Sequence, residues 1–234
     1  MLNIDSWDWM LRQYVDDEGR VNYQSWKSES AVKLQNWLIE VSAINLQNYC
    51  DANQRLAFWL NLYNALVISQ VLNTYPISSI RPQLLGFPHW IAFFRFFSRS
   101  IYSFGSRDLS LNDIEHGILR LDFQDPRIHF ALVCAAVGCP LLRNEAYRPE
   151  LVEAQLDRDA MRFINNPEKV RFDAGTQTLY CSKIFKWYRR DFLKKNTSIP
   201  AYVSYYLEPT LPITDSTLIR YLDYDWSLNQ RMSL

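Results

Sequence analysis

A long apolar run, LAFWLNLYNALVISQVL from Leu56 to Leu72, restricts the possible folds of this chain more than any other feature. A helix that is apolar on nearly every side must lie inside the protein, surrounded by other elements. Asp51 is a suitable N-cap for it, with Gln54 at the spacing of a capping box, and Tyr75-Pro76 predicts its end. The sequence therefore predicts a central helix on which the remaining elements pack.

Two amides, Asn61 and Asn64, interrupt this helix one turn apart and therefore share a face. A buried amide without partners costs about 1–3 kcal/mol, so both must be hydrogen-bonded. One interpretation gives them backbone carbonyls or each other as partners, and the other makes them part of a polar site. In either case we expect both to be buried, with Trp59 and Tyr63 in the core.

Composition excludes several classes of function. The chain has 234 residues, 48% of them hydrophobic, which is enough for a sizeable core in one domain or two closely fused ones. Lys plus Arg equals Asp plus Glu at 25 each. This balance gives no electrostatic reason to expect nucleic acid or an acidic membrane surface as a partner.

The N-terminal residues and the cysteines predict a soluble cytoplasmic protein. The start, MLNIDSWDWMLRQYVDD, lacks the basic residues and the continuous apolar core of a signal peptide, and no apolar run is long enough to span a bilayer. Four cysteines in a chain of this length do not indicate a disulfide framework, and cytoplasmic thiols usually stay reduced. We therefore expect free thiols and no transmembrane segment.

The stretch DPRIHFALVCAAVGCPLL, from Asp125 to Leu142, holds two of the four cysteines and one of the three histidines. Asp125-Pro126 predicts a turn, and the apolar run Ile128–Cys134 is typical of a strand buried on both faces. A thiol at the end of such a strand, before a loop of small residues, is a plausible nucleophile. It is equally an ordinary place for a buried structural cysteine, because exposure and pKa decide reactivity.

The rest of the chain favours helices. Apolar stripes at helical spacing predict helices over Trp7–Val15, Lys33–Ser42, Ser110–Leu121, Glu150–Asn165 and Lys183–Leu193. Val170–Cys181 alternates around Ala174-Gly175 and predicts a β-hairpin. The sequence thus predicts an α+β fold: a mostly helical single domain over 1–234, packed on a small sheet that contains Ile128–Cys134 and the hairpin.

Residues 87–104 are unusually rich in aromatic side chains, which include Trp90, Phe93, Phe94, Phe96 and Phe97. A buried helix or hairpin is the interpretation we favour for them. An exposed segment of this composition would instead be a docking patch for a protein partner or an apolar substrate.

Several stretches together resemble one family, that of the domain of unknown function 547. They are Phe58–Ala65, Ser110–Arg120, Asp125–Cys134, Gly138-Cys139-Pro140 and Tyr224–Asn229. The resemblance extends over nearly the whole chain, although the Phe-rich segment is longer and more apolar than the family pattern. It implies that the polar residues of these motifs form one site or one network: Asn61, Asn64, Glu115, His116, Arg120, His129 and Cys134.

Catalysis by a thiol requires a thiolate, a histidine within hydrogen-bond reach and a third group that orients the histidine. In a regular strand, Cys134 and His129 would point to opposite faces, which leaves His116 by elimination. Glu115 is its neighbour on a helix and diverges from it by about 100°, so an amide of the central helix would have to orient His116.

Other chemistries fit less well. Cys139 is a rival nucleophile, but the following Pro140 lacks the backbone N–H that an oxyanion hole could use. Cys134, Cys139 and His129 could bind zinc, yet the usual second pair of ligands is absent. The sequence has no Gly-rich phosphate loop and no G-x-S-x-G elbow, so we expect neither a metal nor another cofactor.

The sequence therefore supports two functions. The first is a cysteine-dependent hydrolase or acyl transferase that acts on a small-molecule or peptide substrate and is only by analogy similar to papain- or transglutaminase-type enzymes. Its candidate residues are Cys134, His116, Glu115, Asn61, Asn64 and His129. The alternative is a non-catalytic protein-binding or scaffold domain, whose polar network is structural and whose Phe-rich segment contacts a partner.

Overall fold

The long apolar run forms the central helix α3, Ala52–Thr74, in the computed structural model of the chain. Every residue from Leu56 to Ser69 is buried, and the Asp51 side chain caps the helix by accepting the N–H of Asn53. The structure describes residues 3–84, 87–208 and 211–231, without the side chains of 83–84 and 87–88. None of the helices in these ranges is long and apolar enough to cross a bilayer.

The helix α2 (Tyr23–Ser42) packs against α3, and α1 (Ile4–Tyr14) packs against α2. Trp7, Trp26 and Trp37 form a buried cluster, in which the rings of Trp7 and Trp37 stack with centroids 5.4 Å apart. The second helix begins at Tyr23, well before the predicted Lys33, because the Asn22 side chain caps it by accepting the N–H of Ser25.

The remaining helices and short hairpins follow in chain order. They are a 3₁₀ turn (Leu46–Asn48), β1 (Gln83–Leu84), β2 (Phe87–Pro88), α4 (Trp90–Ser98), β3 (Tyr102–Phe104), β4 (Arg107–Leu109), α5 (Leu111–Ile114), a π-helix (Glu115–Phe123), α6 (Ile128–Ala131), α7 (Val152–Ile164), α8 (Ile184–Trp187), α9 (Arg189–Phe192) and α10 (Ile199–Tyr206).

A three-stranded sheet lies in the C-terminal half. The predicted hairpin is confirmed as β5 (Val170–Asp173) and β6 (Thr178–Cys181), which pair antiparallel. The strand β7 (Leu218–Tyr221) adds to β6 in parallel, with Thr178 opposite Leu218. Helices thus dominate over small sheets, as the predicted α+β class requires.

The predicted strand Ile128–Cys134 is wrong. Its first half is the helical turn α6, and the chain then runs extended without joining a sheet. The turn begins where the Asp125 carboxylate accepts the backbone N–H of Arg127 at 2.9 Å. A short apolar run is compatible with either a buried helix or a buried strand, so the sequence pattern could not decide. The exclusion of His129 by strand alternation therefore no longer holds.

The expected burial of the Phe-rich segment is also wrong for α4. None of its residues is buried, and Trp90, Ile91 and Phe94 are 49%, 68% and 60% exposed. The helix packs against α5, and the Gln70 side chain of α3 donates to the carbonyl of Phe96.

Candidate functional site

A cavity of about 430 Å³ brings together most of the residues singled out in the sequence. Cys134, Cys139, Glu115, His116 and His129 all line it. The cavity has the size of a small-molecule site and lies between the π-helix, the α6 turn and the exposed helix α4. Asn61 and Asn64 do not line it.

Cys134 and Cys139 are joined by a disulfide, which differs from the expectation of free thiols. The loop between them brings their Cα atoms within 6.1 Å, inside the range that a disulfide requires. The backbone N–H of Cys134 also points to the Cys139 sulfur at 2.8 Å. Both sulfurs therefore border the cavity in their oxidised form, and Cys50 and Cys181 are free.

Asn64 positions the chain that leads to Cys134. Its Nδ2 donates to the carbonyl of Ala131 at 3.0 Å, and its Oδ1 accepts the N–H of Val133 at 3.1 Å. The amide thus bridges the point where α6 ends and the extended segment begins. Its role is to place the cysteine rather than to touch a ligand.

Asn61 serves the N-terminal half of the protein instead. Its Oδ1 accepts the Trp7 indole N–H and the Tyr147 backbone N–H, and its Nδ2 donates to the carbonyls of Ala57 and Tyr147. Both amides are almost completely buried, as predicted, and backbone groups are their main partners.

Glu115 lines the cavity and is only 6% exposed. Its carboxylate accepts hydrogen bonds from the hydroxyls of Tyr63 and Tyr188. Burial and this carboxylate raise the pKa of both tyrosines, so they remain donors. His116 follows on the π-helix, with Nδ1 3.7 Å from Glu115 Oε1 and 3.0 Å from Arg120 Nη1. A π-helical segment inside an α-helix is frequent at functional sites.

His129 forms the second imidazole pair of the cavity. Its Nε2 lies 2.8 Å from Asp191 Oδ2, and its ring stacks on Tyr188 with centroids 3.8 Å apart. Arg120 donates to the same carboxylate oxygen at 2.6 Å. Burial lowers the pKa of His129, although the hydrogen bond with Asp191 acts in the opposite direction. The hydrogen bonds from His129 and Arg120 in turn lower the pKa of Asp191, which stays ionised.

Sequence reasoning missed Asp191 and Tyr188. Tyr188 joins the short helices α8 and α9, and Asp191 belongs to α9. Both are far along the chain from Glu115 and the two histidines of the cavity. A single acid within the basic stretch Lys183–Leu193 was the only signal, and it does not identify a partner.

The hydroxyl of Tyr224 lies 3.2 Å from the Sγ atom of Cys134. Burial raises its pKa, so the hydroxyl stays protonated. Gly138 makes room for the ring, because a Cβ at that position would lie 2.8 Å from Tyr224 Cδ1. The motif Tyr224–Asn229 pointed to this region, but not to the contact with the sulfur.

The loop between the two cysteines is held in an unusual conformation. Ala135 has a φ of +59°, a left-handed value that residues other than glycine rarely adopt. Its carbonyl accepts the N–H of Asn229, and the N–H groups of Val137 and Gly138 donate to the carbonyls of Ser227 and Asp225. Strained backbone of this kind clusters at functional sites.

The arrangement offers sulfur, two imidazoles and hydroxyl donors, which are the groups of acyl-transfer chemistry. Within residues 3–84, 87–208 and 211–231, no group of three or more His, Cys, Asp or Glu side chains could hold a metal ion.

Comparison with known proteins identifies one family. The family model described as "Protein of unknown function, DUF547" matches residues 47–164. No curated protein and no solved structure matches the chain. The matched residues include both cysteines, Glu115 and the two histidines of the cavity, whereas Asp191 and Tyr224 lie beyond them.

Proposed function

Since the chain belongs to the DUF547 family of proteins of unknown function, we propose its function from the geometry of the cavity: the reduced protein is a cysteine-dependent hydrolase or acyl transferase with Cys134 as its nucleophile. The observation that supports this most directly is the lining of one cavity by this sulfur and two imidazoles.

The disulfide makes the activity dependent on reduction. A dithiol or phosphine reductant converts the Cys134–Cys139 bond into two thiols and is itself oxidised. Because the nucleophile exists only after this step, the proposal calls for a reducing compartment such as the cytoplasm. The form with the Cys134–Cys139 disulfide is then inactive.

His129 is the base that we assign to the thiol. Burial lowers its pKa, which keeps the imidazole neutral near pH 7, and the carboxylate of Asp191 fixes the ring through Nε2. The hydroxyl of Tyr224 supports the thiolate by donating to the sulfur. His116 is more exposed and engages Arg120, so we assign it no direct proton transfer.

The chemistry follows the usual course of thiol catalysis. The Cys134 thiolate attacks the carbonyl carbon of an ester or thioester, and His129 passes the thiol proton to the departing alcohol or thiol. Water, or an acceptor nucleophile in a transferase, then attacks the acyl-enzyme. This second step releases the acyl group and restores the thiol.

The experiment is an acylation assay of the phosphine-reduced protein with p-nitrophenyl butyrate. We expect release of nitrophenol, with a butyryl group on the Cys134 peptide in mass spectra of quenched samples. Both should be lost in Cys134→Ala and in the unreduced protein, and retained in Cys50→Ala, which alters the exposed free cysteine. His129→Gln should slow acylation by about 10²-fold or more, as expected for a general base.

Undiminished hydrolysis by Cys134→Ala, or the absence of an acyl group on Cys134, would refute the proposal. A slower reaction in His116→Gln than in His129→Gln would move the role of base to His116. The protein would remain a thiol enzyme in that case.

The non-catalytic alternative rests on one specific observation, the exposed aromatic residues of α4. A scaffold domain would use this surface to contact a protein partner, and the disulfide would be structural. It predicts that the reduced protein shows no acylation and that reduction lowers stability without creating activity.

A further inference from the structure

The cavity lining has two chemically different parts. One part carries the sulfurs, Glu115 and the two imidazoles, and the other is an aromatic wall. Helix α4 contributes four side chains to this wall, and the C-terminal half contributes two indoles. They are Trp90, Phe93, Phe94, Phe97, Trp187 and Trp226.

The wall is assembled by ring contacts and left partly uncovered. Phe93 packs edge-on against Trp226 with centroids 4.9 Å apart, which joins α4 to the C-terminal segment. Trp90 and Phe94 nevertheless keep 49% and 60% of their surface exposed. Exposed apolar surface beside a cavity is covered favourably by an apolar ligand.

The charges at the cavity argue against an anionic ligand. No lysine or arginine is among the described lining residues, and Glu115 is their only carboxylate. Two guanidinium groups lie next to lining residues and are already engaged. Arg120 is bound to Asp191 at 2.6 Å, and Arg81 lies over the rings of Trp226 and Trp90, at 4.8 and 5.5 Å from their centroids. A carboxylate or phosphate in the cavity would therefore face the Glu115 carboxylate, and no lining residue would supply a lysine or arginine to compensate.

We infer that the substrate carries an uncharged, apolar acyl group, aliphatic or aromatic, presented to Cys134 as an ester or thioester. This inference rests on the proposed function for its chemistry, but the apolar binding site stands on the wall alone. The acyl chain lies along α4, and its carbonyl reaches the sulfur. Hydrolysis yields a carboxylate, and the repulsion between this product and Glu115 favours its release.

Calorimetric titration of the reduced protein tests this binding site without requiring catalysis. The ligands are octanamide, acetamide and octanoate, which vary chain length and charge separately. We expect octanamide to bind at least about tenfold more tightly than either of the others. Acetamide lacks the methylene groups that contribute to binding, and the charge of octanoate faces Glu115.

Two exposed residues on the same helix provide the matched variants. Phe94→Ser, in the wall, should weaken octanamide binding about tenfold. Ile91→Ser, which is 68% exposed and does not line the cavity, should leave it unchanged. Both variants should unfold at the temperature of the unmodified protein.

The possible outcomes separate this inference from the proposed function. Equal binding of octanamide and octanoate, or no effect of Phe94→Ser, overturns the apolar site even if Cys134 is acylated by small esters. Selective octanamide binding without any acylation of Cys134 supports the apolar binding site and refutes the proposed enzymatic function.

Discussion

A methyl group added at Gly138 should disturb the surroundings of the Cys134 sulfur. A Cβ there would lie 2.8 Å from the carbonyl oxygen of Asp225 and from Tyr224 Cδ1. Gly138→Ala must therefore displace the tyrosine whose hydroxyl contacts Cys134. We expect a loss of about 1–3 kcal/mol in the free energy of unfolding, as for overpacked cores, together with slower acylation of Cys134.

Gly117→Ala is the control for this change. Nothing lies within 4 Å of a Cβ at Gly117, so this variant should keep both stability and acylation. Urea unfolding of the two variants gives the comparison. Equal stability of both would show that the Gly138 loop adapts freely and does not hold the tyrosine in place.

His129 should make stability depend on pH. Burial lowers its pKa below the ordinary value of about 6.5. Below that pH the unfolded chain takes up a proton that the folded protein resists, so the free energy of unfolding falls as the pH decreases. The pKa of Asp191 is also lowered, but its contribution is lost only below the ordinary carboxyl range, near about pH 4.

The measurement is urea unfolding at about pH 7.5 and about pH 5.5, for the unmodified protein and for His129→Gln. The unmodified protein should lose stability between the two values, and the variant should lose less. An identical pH dependence in both would mean that this imidazole titrates as it does in the unfolded chain.

At the scale of elements, Asn64 connects the central helix to the cysteine. Asn64→Ala leaves the carbonyl of Ala131 and the N–H of Val133 buried without their partner. We expect a loss of about 1–3 kcal/mol in the free energy of unfolding for the groups left unpaired. Asn73→Ala, on the exposed end of the same helix, should change it by less than about 0.5 kcal/mol. Similar unfolding midpoints for the two would contradict the bridging role.

Elements with strong local signals were predictable from the sequence. The helix α3 was predictable, because a long uninterrupted apolar run is compatible with few structures other than a buried helix. The hairpin around Ala174-Gly175 was predictable, because apolar and polar residues alternate regularly in it. The helix predicted from Ser110 begins with a capping box that Ser110 and Asp113 form. The structure of Ile128–Cys134 was not predictable, because its apolar pattern fits a helix and a strand equally well. Its path depends on hydrogen bonds with the Asn64 side chain of α3.

At the scale of the whole molecule, the site depends on contacts between distant parts of the chain. The family match ends at residue 164, yet Tyr188, Asp191 and Tyr224 complete the cavity network. The N-terminal residues are tied to the C-terminal ones as well, because Tyr23 donates to Asn229 Oδ1 at 2.7 Å. We therefore propose that 1–234 is one domain. No local pattern in the sequence could have paired His129 with Asp191, because their proximity arises from tertiary packing.

Catalysis by the reduced Cys134 requires that it be an activated thiol. The most direct measurement is the rate at which iodoacetamide alkylates each cysteine of the reduced native protein across a pH series, read from peptide masses. We predict that Cys134 reacts faster than Cys50, Cys139 and Cys181 near pH 7. Its reaction should titrate well below the free thiol pKa of about 8.5, because the Tyr224 hydroxyl donates to the sulfur. His129→Gln, which removes the base, should slow its alkylation near pH 7. Alkylation of Cys134 only after denaturation, or with the titration of a free thiol, would contradict the account.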